Sequence, residues 1–204
     1  MGEGVVRIVG VVMVALCVVA AAFELVGRKV AYARLERAFR QGDYDGCLAM
    51  LDNPVVRHLF PPFNRGFLRL NALDAKGDAK EAGREVQRLL ALNVPKEQRQ
   101  ALLDRAFNFY LQHADRANAQ RLLGLIRESG ADERTLAEDK RLFAILIDRS
   151  SAHIAEMEAE LEHASGRRRE RLCYLLAIQY ESKGEKARSQ EYLRQAVGDE
   201  GREG

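Results

Sequence analysis

The chain has 204 residues, of which 47% are hydrophobic and 30% are charged, and its formal net charge is +2. This length suits one or two domains, and so balanced a charge gives no argument for binding nucleic acid. The sequence holds no phosphate-cradling loop, zinc-ligand spacing or nucleophile elbow. We therefore expect that the chain is not an enzyme and that it has no small-molecule substrate and no cofactor.

The N-terminal segment is the most apolar part of the chain. Ile8–Phe23 contains no charge and no amide, and its flanks extend the apolar run to residues 5–26. About 20 residues suffice to cross a bilayer, and no amphipathic period gives this run a water-facing side. We therefore predict one membrane-spanning helix within a leader of residues 1–27. The alternative is a signal peptide that is cleaved near Ala20-Ala21-Ala22.

Basic residues accumulate directly after this segment, whereas only Arg7 precedes it. Lys and Arg collect on the cytoplasmic side of membrane proteins. The pattern predicts a single-pass protein of the cell membrane whose main domain is cytoplasmic, with the extracytoplasmic orientation as the alternative. Four of these cations are predicted to meet anionic headgroups at the membrane surface: Arg28, Lys29, Arg34 and Arg37.

Downstream of the leader, helical hairpins recur at nearly constant spacing. The predicted turns centre on residues 42, 77, 114, 150 and 184, separated by 35, 37, 36 and 34 residues. Glycine occupies three of these positions, where it can adopt positive φ. Pro61 and Pro62 prevent a continuous helix, so the second hairpin should begin near Pro62 or Phe63. The first four predicted pairs are 32–41 with 43–51, 63–75 with 79–92, 98–113 with 116–128, and 135–149 with 153–163.

The last hairpin carries the clearest pattern. Leu172, Leu176 and Tyr180 recur every four residues and should share one helix face, and Gly184 follows as the turn. Small residues occupy positions where two helices would cross closely, as at Ala177. This hairpin and its copies resemble the tetratricopeptide repeat, a helix-turn-helix unit of about 34 residues. The resemblance implies an all-α fold, with about five hairpins stacked as an α-solenoid over residues 28–197. Residues 198–204 are expected to form a disordered polar tail.

The resemblance also implies where a partner would bind. In stacked repeats, the first helix of each pair lines a concave groove. Asn71 and Asn108 are predicted at equivalent heights in this groove, where an amide can read the backbone of an extended peptide. Some family members hold a terminal carboxylate with paired Lys and Asn, but Phe67 and Asp104 replace the required lysines here. The predicted groove residues are Tyr32, Glu36, Phe67, Asn71, Asp104, Asn108, Lys140, Tyr174 and Ile178.

The cysteines and histidines give little support for a catalytic or metal-binding site. Cys17, Cys47 and Cys173 form no close pair, and the last two fall at packing positions. One Glu-x-x-His spacing, Glu160 to His163, has no second copy, so no metal site is predicted.

Two functional hypotheses follow from this pattern. In the first, the chain is a membrane-anchored scaffold or adaptor that captures a protein or peptide in its groove. In the second, it is a structural subunit of a membrane complex, and its transmembrane helix is itself the contact surface. The resemblance extends to the membrane-tethered repeat proteins of bacteria, many of which have the opposite orientation, with the repeats outside the cytoplasm.

Overall fold

The computed structural model describes residues 25–197. Apart from its last two residues, the predicted membrane helix of residues 5–26 therefore lies outside the described residues, as does the predicted tail of residues 198–204. Over residues 25–197, no helix combines the length and the apolar character needed to span a bilayer.

The described residues form eleven helices and no strand, which confirms the all-α prediction. The first helix, α1, covers residues 25–40 of the described range. The others are α2 (Tyr44–Asp52), α3 (Pro54–Leu59), α4 (Pro62–Lys76), α5 (Ala79–Leu90), α6 (Lys96–Gln112), α7 (Arg116–Glu128), α8 (Glu133–Leu146), α9 (Ile154–Glu162), α10 (Gly166–Ser182) and α11 (Lys186–Val197).

The helices divide into two compact units, the first ending at Pro95 and the second beginning at Lys96. In the first unit, α2 packs on α3 and α4, and α4 packs on α5. In the second unit, α6 packs on α7, α7 on α8, α9 on α10, and α10 on α11. The pairs α4–α5, α6–α7 and α10–α11 thus pack as helical hairpins. The predicted fourth pair differs, because α8 packs on α7 and α10 more extensively than on α9.

Left-handed residues lie at the predicted turns with nearly constant spacing. Positive φ occurs at Gly42 (74°), Gly77 (83°), Ala114 (51°), Arg149 (55°) and Gly184 (83°), so the intervals are 35, 37, 35 and 35 residues. Around Gly42, the N–H of the glycine bonds to Phe39 and the next N–H bonds to Ala38. The same two bonds recur at the turns of Gly77, Ala114 and Gly184. This pair of bonds satisfies helix-terminal carbonyls, so the repetition of the turns is also a repetition of backbone geometry.

An aspartate begins the second helix after three of these turns. The side chains of Asp43, Asp78 and Asp115 each accept a hydrogen bond from the backbone N–H three residues later. Such N-caps satisfy N–H groups that have no partner within the helix. Asp132 does the same for α8, and its bond to the Thr135 N–H lowers the pKa of its carboxyl.

One predicted turn differs from the structure, and one helix was not predicted. The fourth turn centres on Arg149 and not on Ser150, because the Ser150 N–H reaches back to the Ala144 carbonyl (2.9 Å) and closes a wider turn. The unpredicted helix is α3, which Asn53 caps and whose first position Pro54 occupies. Proline is favoured at that position, where its missing N–H costs nothing. The predicted start of the second hairpin at Pro62 is confirmed.

The core of the first unit joins α1 to the hairpins that follow. Leu35 and Ala38 of α1 are buried against Cys47 and Leu51 of α2. The same cluster includes Leu59, Phe60 and Ala72. The Cys47 thiol lies 3.5 Å from the Leu35 carbonyl oxygen, and burial raises its pKa. Cys47 therefore acts as a small packing residue, as its position in the sequence indicated.

The core of the second unit centres on α10. Leu172, Leu176 and Tyr180 are all buried, which confirms the predicted helix face. The Tyr180 hydroxyl donates to Glu158 of α9 at 2.6 Å, and the same carboxylate accepts from Tyr192 of α11 at 2.9 Å. Because Tyr180 and Tyr192 also stack with ring centroids 5.5 Å apart, one carboxylate joins three helices.

Candidate functional site: a groove in the second unit

A groove of about 560 Å³ lies within the second unit. Residues of α6, α8, α10 and α11 line it, and the turns at Ala114 and Arg149 contribute to its edge. Its apolar lining consists of Leu111, Leu142, Leu146, Leu175, Ala177, Ile178 and Leu193, with Tyr174 beside them. We call this surface the second-unit groove.

Three of the predicted groove residues meet in the second-unit groove: Asn108 of α6 and Tyr174 and Ile178 of α10. Tyr174 is 51% exposed, so it offers an aromatic face to solvent, whereas Ile178 is buried and contributes only an edge to the floor. Asp104 and Lys140 are exposed on α6 and α8 but do not line it. The sequence thus located part of this surface.

The other predicted groove residues belong to the first unit. Tyr32 and Glu36 are both exposed on α1. Because they are four residues apart, they lie on the same side of the helix. Phe67 and Asn71 are half-buried on α4, where the Phe67 ring packs on Phe63 with centroids 5.7 Å apart. Phe67 is thus partly used in packing within its own helix.

Sequence analysis did not predict four apolar residues of the groove floor, nor the wall that α11 contributes. Leu111, Leu142, Leu146 and Leu175 form the floor, and Leu193 reaches it from a second helix of a hairpin. The prediction considered only first helices and therefore could not include α11. The sequence did contain a signal for the groove-lining face of α10, because the spacing of Arg171, Leu175, Ile178 and Glu181 places them on one side of a helix.

The amide of Asn108 is already engaged in part. Its Nδ2 donates to the backbone carbonyl of Asp104 at 2.8 Å, one turn earlier in α6. An asparagine amide has two N–H donors and a carbonyl acceptor. The predicted role of Asn108 in reading a peptide backbone therefore depends on its second N–H and on Oδ1.

Charges of both signs border the second-unit groove. Arg149 lies 3.8 Å from Glu181, and Arg171 lines the same wall as Tyr174. Beside the groove, partial desolvation raises the pKa of the Asp104 carboxyl on α6, although much of that side chain is exposed. Burial, with the nearby Asp104 and Glu138 carboxylates, raises the pKa of Asp139 on α8 to about 6, although Arg171 opposes this shift. The groove thus combines an apolar floor with ionic groups that could orient a partner.

No metal centre is found in the part of the chain that the structure describes, since no three His, Cys, Asp or Glu side chains there could hold an ion together. The Glu160 carboxylate accepts from Arg141 (2.5 Å) and Arg168 (3.4 Å), which lowers its pKa. Glu160 is therefore part of an ion-pair network between α8, α9 and α10. Cys173 is fully buried in the core of the second unit.

The four cations predicted to face a membrane are all exposed on α1. By helical periodicity, Arg28 and Arg37 lie on opposite sides of the helix. Lys29 lies between them around the helix, and Arg34 lies beyond Arg37. Leu35 and Ala38 take the remaining, buried side. The four cations therefore surround the solvent-facing part of α1 and do not form one flat patch.

These geometric features are the basis for assigning a function, because no protein-family model, no curated protein and no solved structure matches this chain.

Proposed function

We propose that this chain is a membrane-anchored scaffold or adaptor, built of tetratricopeptide-like hairpins, that binds a protein or peptide partner in the second-unit groove. The observation that carries the proposal is the groove itself, which places a continuous apolar floor beside ionic groups. Apolar clefts with a few polar groups are typical of binding sites.

The floor and wall supply the affinity in this proposal. Tyr174 and Leu193 are exposed by 51% and 41%, respectively, and face the same groove from α10 and α11. Exposed large side chains on a well-packed base are typical anchors of protein interfaces, and aromatic residues are enriched among them. Burial of their apolar surface would contribute about 25 cal/mol per Å².

The rim supplies orientation. Arg149 and Arg171 are cationic and Glu181 is anionic, all on the border of the floor. Charges at an interface contribute more to specificity and orientation than to affinity. A partner segment with apolar residues on one side and an acidic group beside them fits this arrangement best.

Anchoring is the second part of the proposal. Residues 5–26 would hold the protein in the cell membrane, and the basic residues after them favour a cytoplasmic position for the hairpins. A single cysteine introduced near residue 200 would test this, since it should resist a membrane-impermeant thiol reagent until the cells are opened. Labelling in intact cells would favour the extracytoplasmic orientation instead.

A photocrosslinking residue at position 174 tests the groove. We expect discrete adducts with a partner from position 174, and none from position 120, an exposed site on α7 that does not line the groove. Tyr174→Ala with Leu193→Ser should weaken capture of that partner about tenfold or more. Val197→Ala shortens an apolar side chain that is even more exposed (70%) but lies outside the groove, and it should leave capture unchanged.

Equal capture by both variants would reject the groove as the binding site. Deletion of residues 1–24 separates the scaffold from the alternative of a membrane-complex subunit. A scaffold keeps its soluble partner without the anchor. A subunit that assembles through its transmembrane helix loses its complex.

A further inference from the structure

The first unit contains an arginine-rich cavity of about 380 Å³. Four arginines and two carboxylates line it, contributed by α2, α3, α4 and α5: Asp52, Arg57, Arg65, Arg69, Glu85 and Arg88. The lining therefore carries two positive charges in excess. We call this feature the arginine cavity.

Both carboxylates already have a cationic partner. Arg69 of α4 donates to Asp52, the last residue of α2. Arg88 donates to Glu85 at 2.8 Å, within α5. Glu85 is 7% exposed, and a buried carboxylate requires such a partner. Two of the four arginines are thus accounted for by the charges of the fold.

The other two arginines, Arg57 and Arg65, are not accounted for by charges of the fold. Within residues 25–197, no ion pair is formed by Arg57 of α3 or by Arg65 of α4, although both line the cavity. Arg65 is half-buried, so its charge carries some cost in desolvation without the compensation of an ion pair. A guanidinium presents its N–H groups in a planar fork that matches phosphate oxygens.

The backbone adds positive potential at the same place. The helix α4 begins at Pro62, which also lines the cavity, and no side chain caps its N-terminus. The N-terminal end of a helix carries the positive end of the helix dipole and exposes N–H donors. The arginine pair and this helix start act on the same space.

We propose that the arginine cavity binds a phosphate group, with Arg57 and Arg65 as its principal ligands. A phosphate monoester carries a charge of about −1.5 to −2 at pH 7, which balances the excess charge of the lining. Arg69 and Arg88 offset the charges of the two carboxylates, which reduces their repulsion of the anion. The phosphate can belong to a free phosphate compound or to a lipid headgroup, because both present the same oxygens.

Calorimetric titration of the full chain tests this site. The probes are inorganic phosphate and dihexanoyl phosphatidic acid, and dihexanoyl phosphatidylcholine controls for contacts with the acyl chains. We expect saturable binding of at least one of the two phosphate probes and weaker binding of the phosphatidylcholine. Preference for the phosphatidic acid would identify a lipid headgroup as the source, and equal affinity would identify a free phosphate compound.

Arg57→Gln with Arg65→Gln should weaken phosphate binding about tenfold or more, since two charge-assisted contacts are lost. The matched control is Arg40→Gln with Arg84→Gln, which removes the same charge from arginines that pair with Glu36 and Glu81 outside the cavity. If the double variant unfolds, Arg57→Gln alone replaces it, because Arg57 is exposed. Equal weakening by the control pair, or no saturable binding of either phosphate probe, would overturn the proposal.

Discussion

The side-chain carbonyl of Gln179 accepts a hydrogen bond from the backbone N–H of His153 at 3.0 Å. His153 is the N-cap of α9 and makes no side-chain capping bond of its own, so a residue of α10 caps the start of α9. Gln179 is fully buried, and its Nε2 lies 3.1 Å from the sulfur of Met157. One amide therefore fixes the position of α9 on α10.

Replacement of Gln179 should cost stability. Gln179→Leu keeps most of the volume but leaves the His153 N–H without its acceptor, so we expect the free energy of unfolding to fall by about 2 kcal/mol. Chemical denaturation followed by circular dichroism measures this. Gln190→Leu, an exposed change on α11, should stay within about 0.5 kcal/mol. Equal effects of the two changes would show that the Gln179 bond contributes nothing.

Periodicity revealed the hairpins because the signal was local. Gly42, Gly77 and Gly184 mark left-handed turns that a single residue type favours, and Asp132 could be recognised as a cap from its position alone. The role of Gln179 could not be recognised in this way, because it depends on a residue 26 positions earlier in the chain. Sequence spacing is informative within one helix turn, but it says little about which buried amide meets which helix start.

Ala114 provides a test of the repeated turn. It adopts positive φ at a position where three other turns have glycine. An L-residue is strained in this conformation, so Ala114→Gly should raise the free energy of unfolding by about 0.5 to 1 kcal/mol. Ala137→Gly, at an exposed position inside α8, should lower it by about 1 kcal/mol because glycine disfavours helix. The opposite signs separate the turn geometry from a general effect of glycine, and the same sign for both would contradict it.

The repeat register predicted only part of the lining of the second-unit groove. Asn108 and Tyr174 were found because the turns gave the register of the first helices. Leu193 was missed because it belongs to a second helix, and Ile178 was placed on the surface although the core buries it. The register of a helix gives the direction of a side chain, but the neighbouring helices decide whether that side chain stays accessible.

Two glycines on helices should respond in opposite directions to alanine. A Cβ at Gly66 of α4 would lie 2.7 Å from Leu89 and 2.9 Å from Glu85, both of them buried on α5. Gly66→Ala should therefore lower the free energy of unfolding by about 1 kcal/mol or more, since overpacking outweighs the gain in helix propensity. A Cβ at Gly124 of α7 would meet nothing within 4 Å, so Gly124→Ala should raise it by about 1 kcal/mol. Stabilisation by both changes would show that α4 and α5 can move apart at no cost.

Asp139 should make stability depend on pH. Burial is the main reason that its pKa rises from 3.8 to about 6, and the carboxylates of Asp104 and Glu138 add to the shift. In the described chain, its Oδ2 is buried without a hydrogen-bond partner. Because the folded protein binds this proton more tightly than the unfolded chain does, the contribution of Asp139 is most favourable below pH 3.8. It is lost as the pH rises through about 6.

Asp139→Asn should remove this dependence, because asparagine stays neutral at every pH. At pH 7 the variant should be more stable by about 1 kcal/mol, a value that allows for screening by solvent at a half-buried site. Near pH 4 the two proteins should unfold alike. Asp132→Asn is the matched control, because the pKa of Asp132 is lowered by its capping bonds and its charge therefore favours the folded state at pH 7. A gain in stability that is equal at pH 4 and pH 7 would show that the Asp139 carboxyl is not the group that titrates.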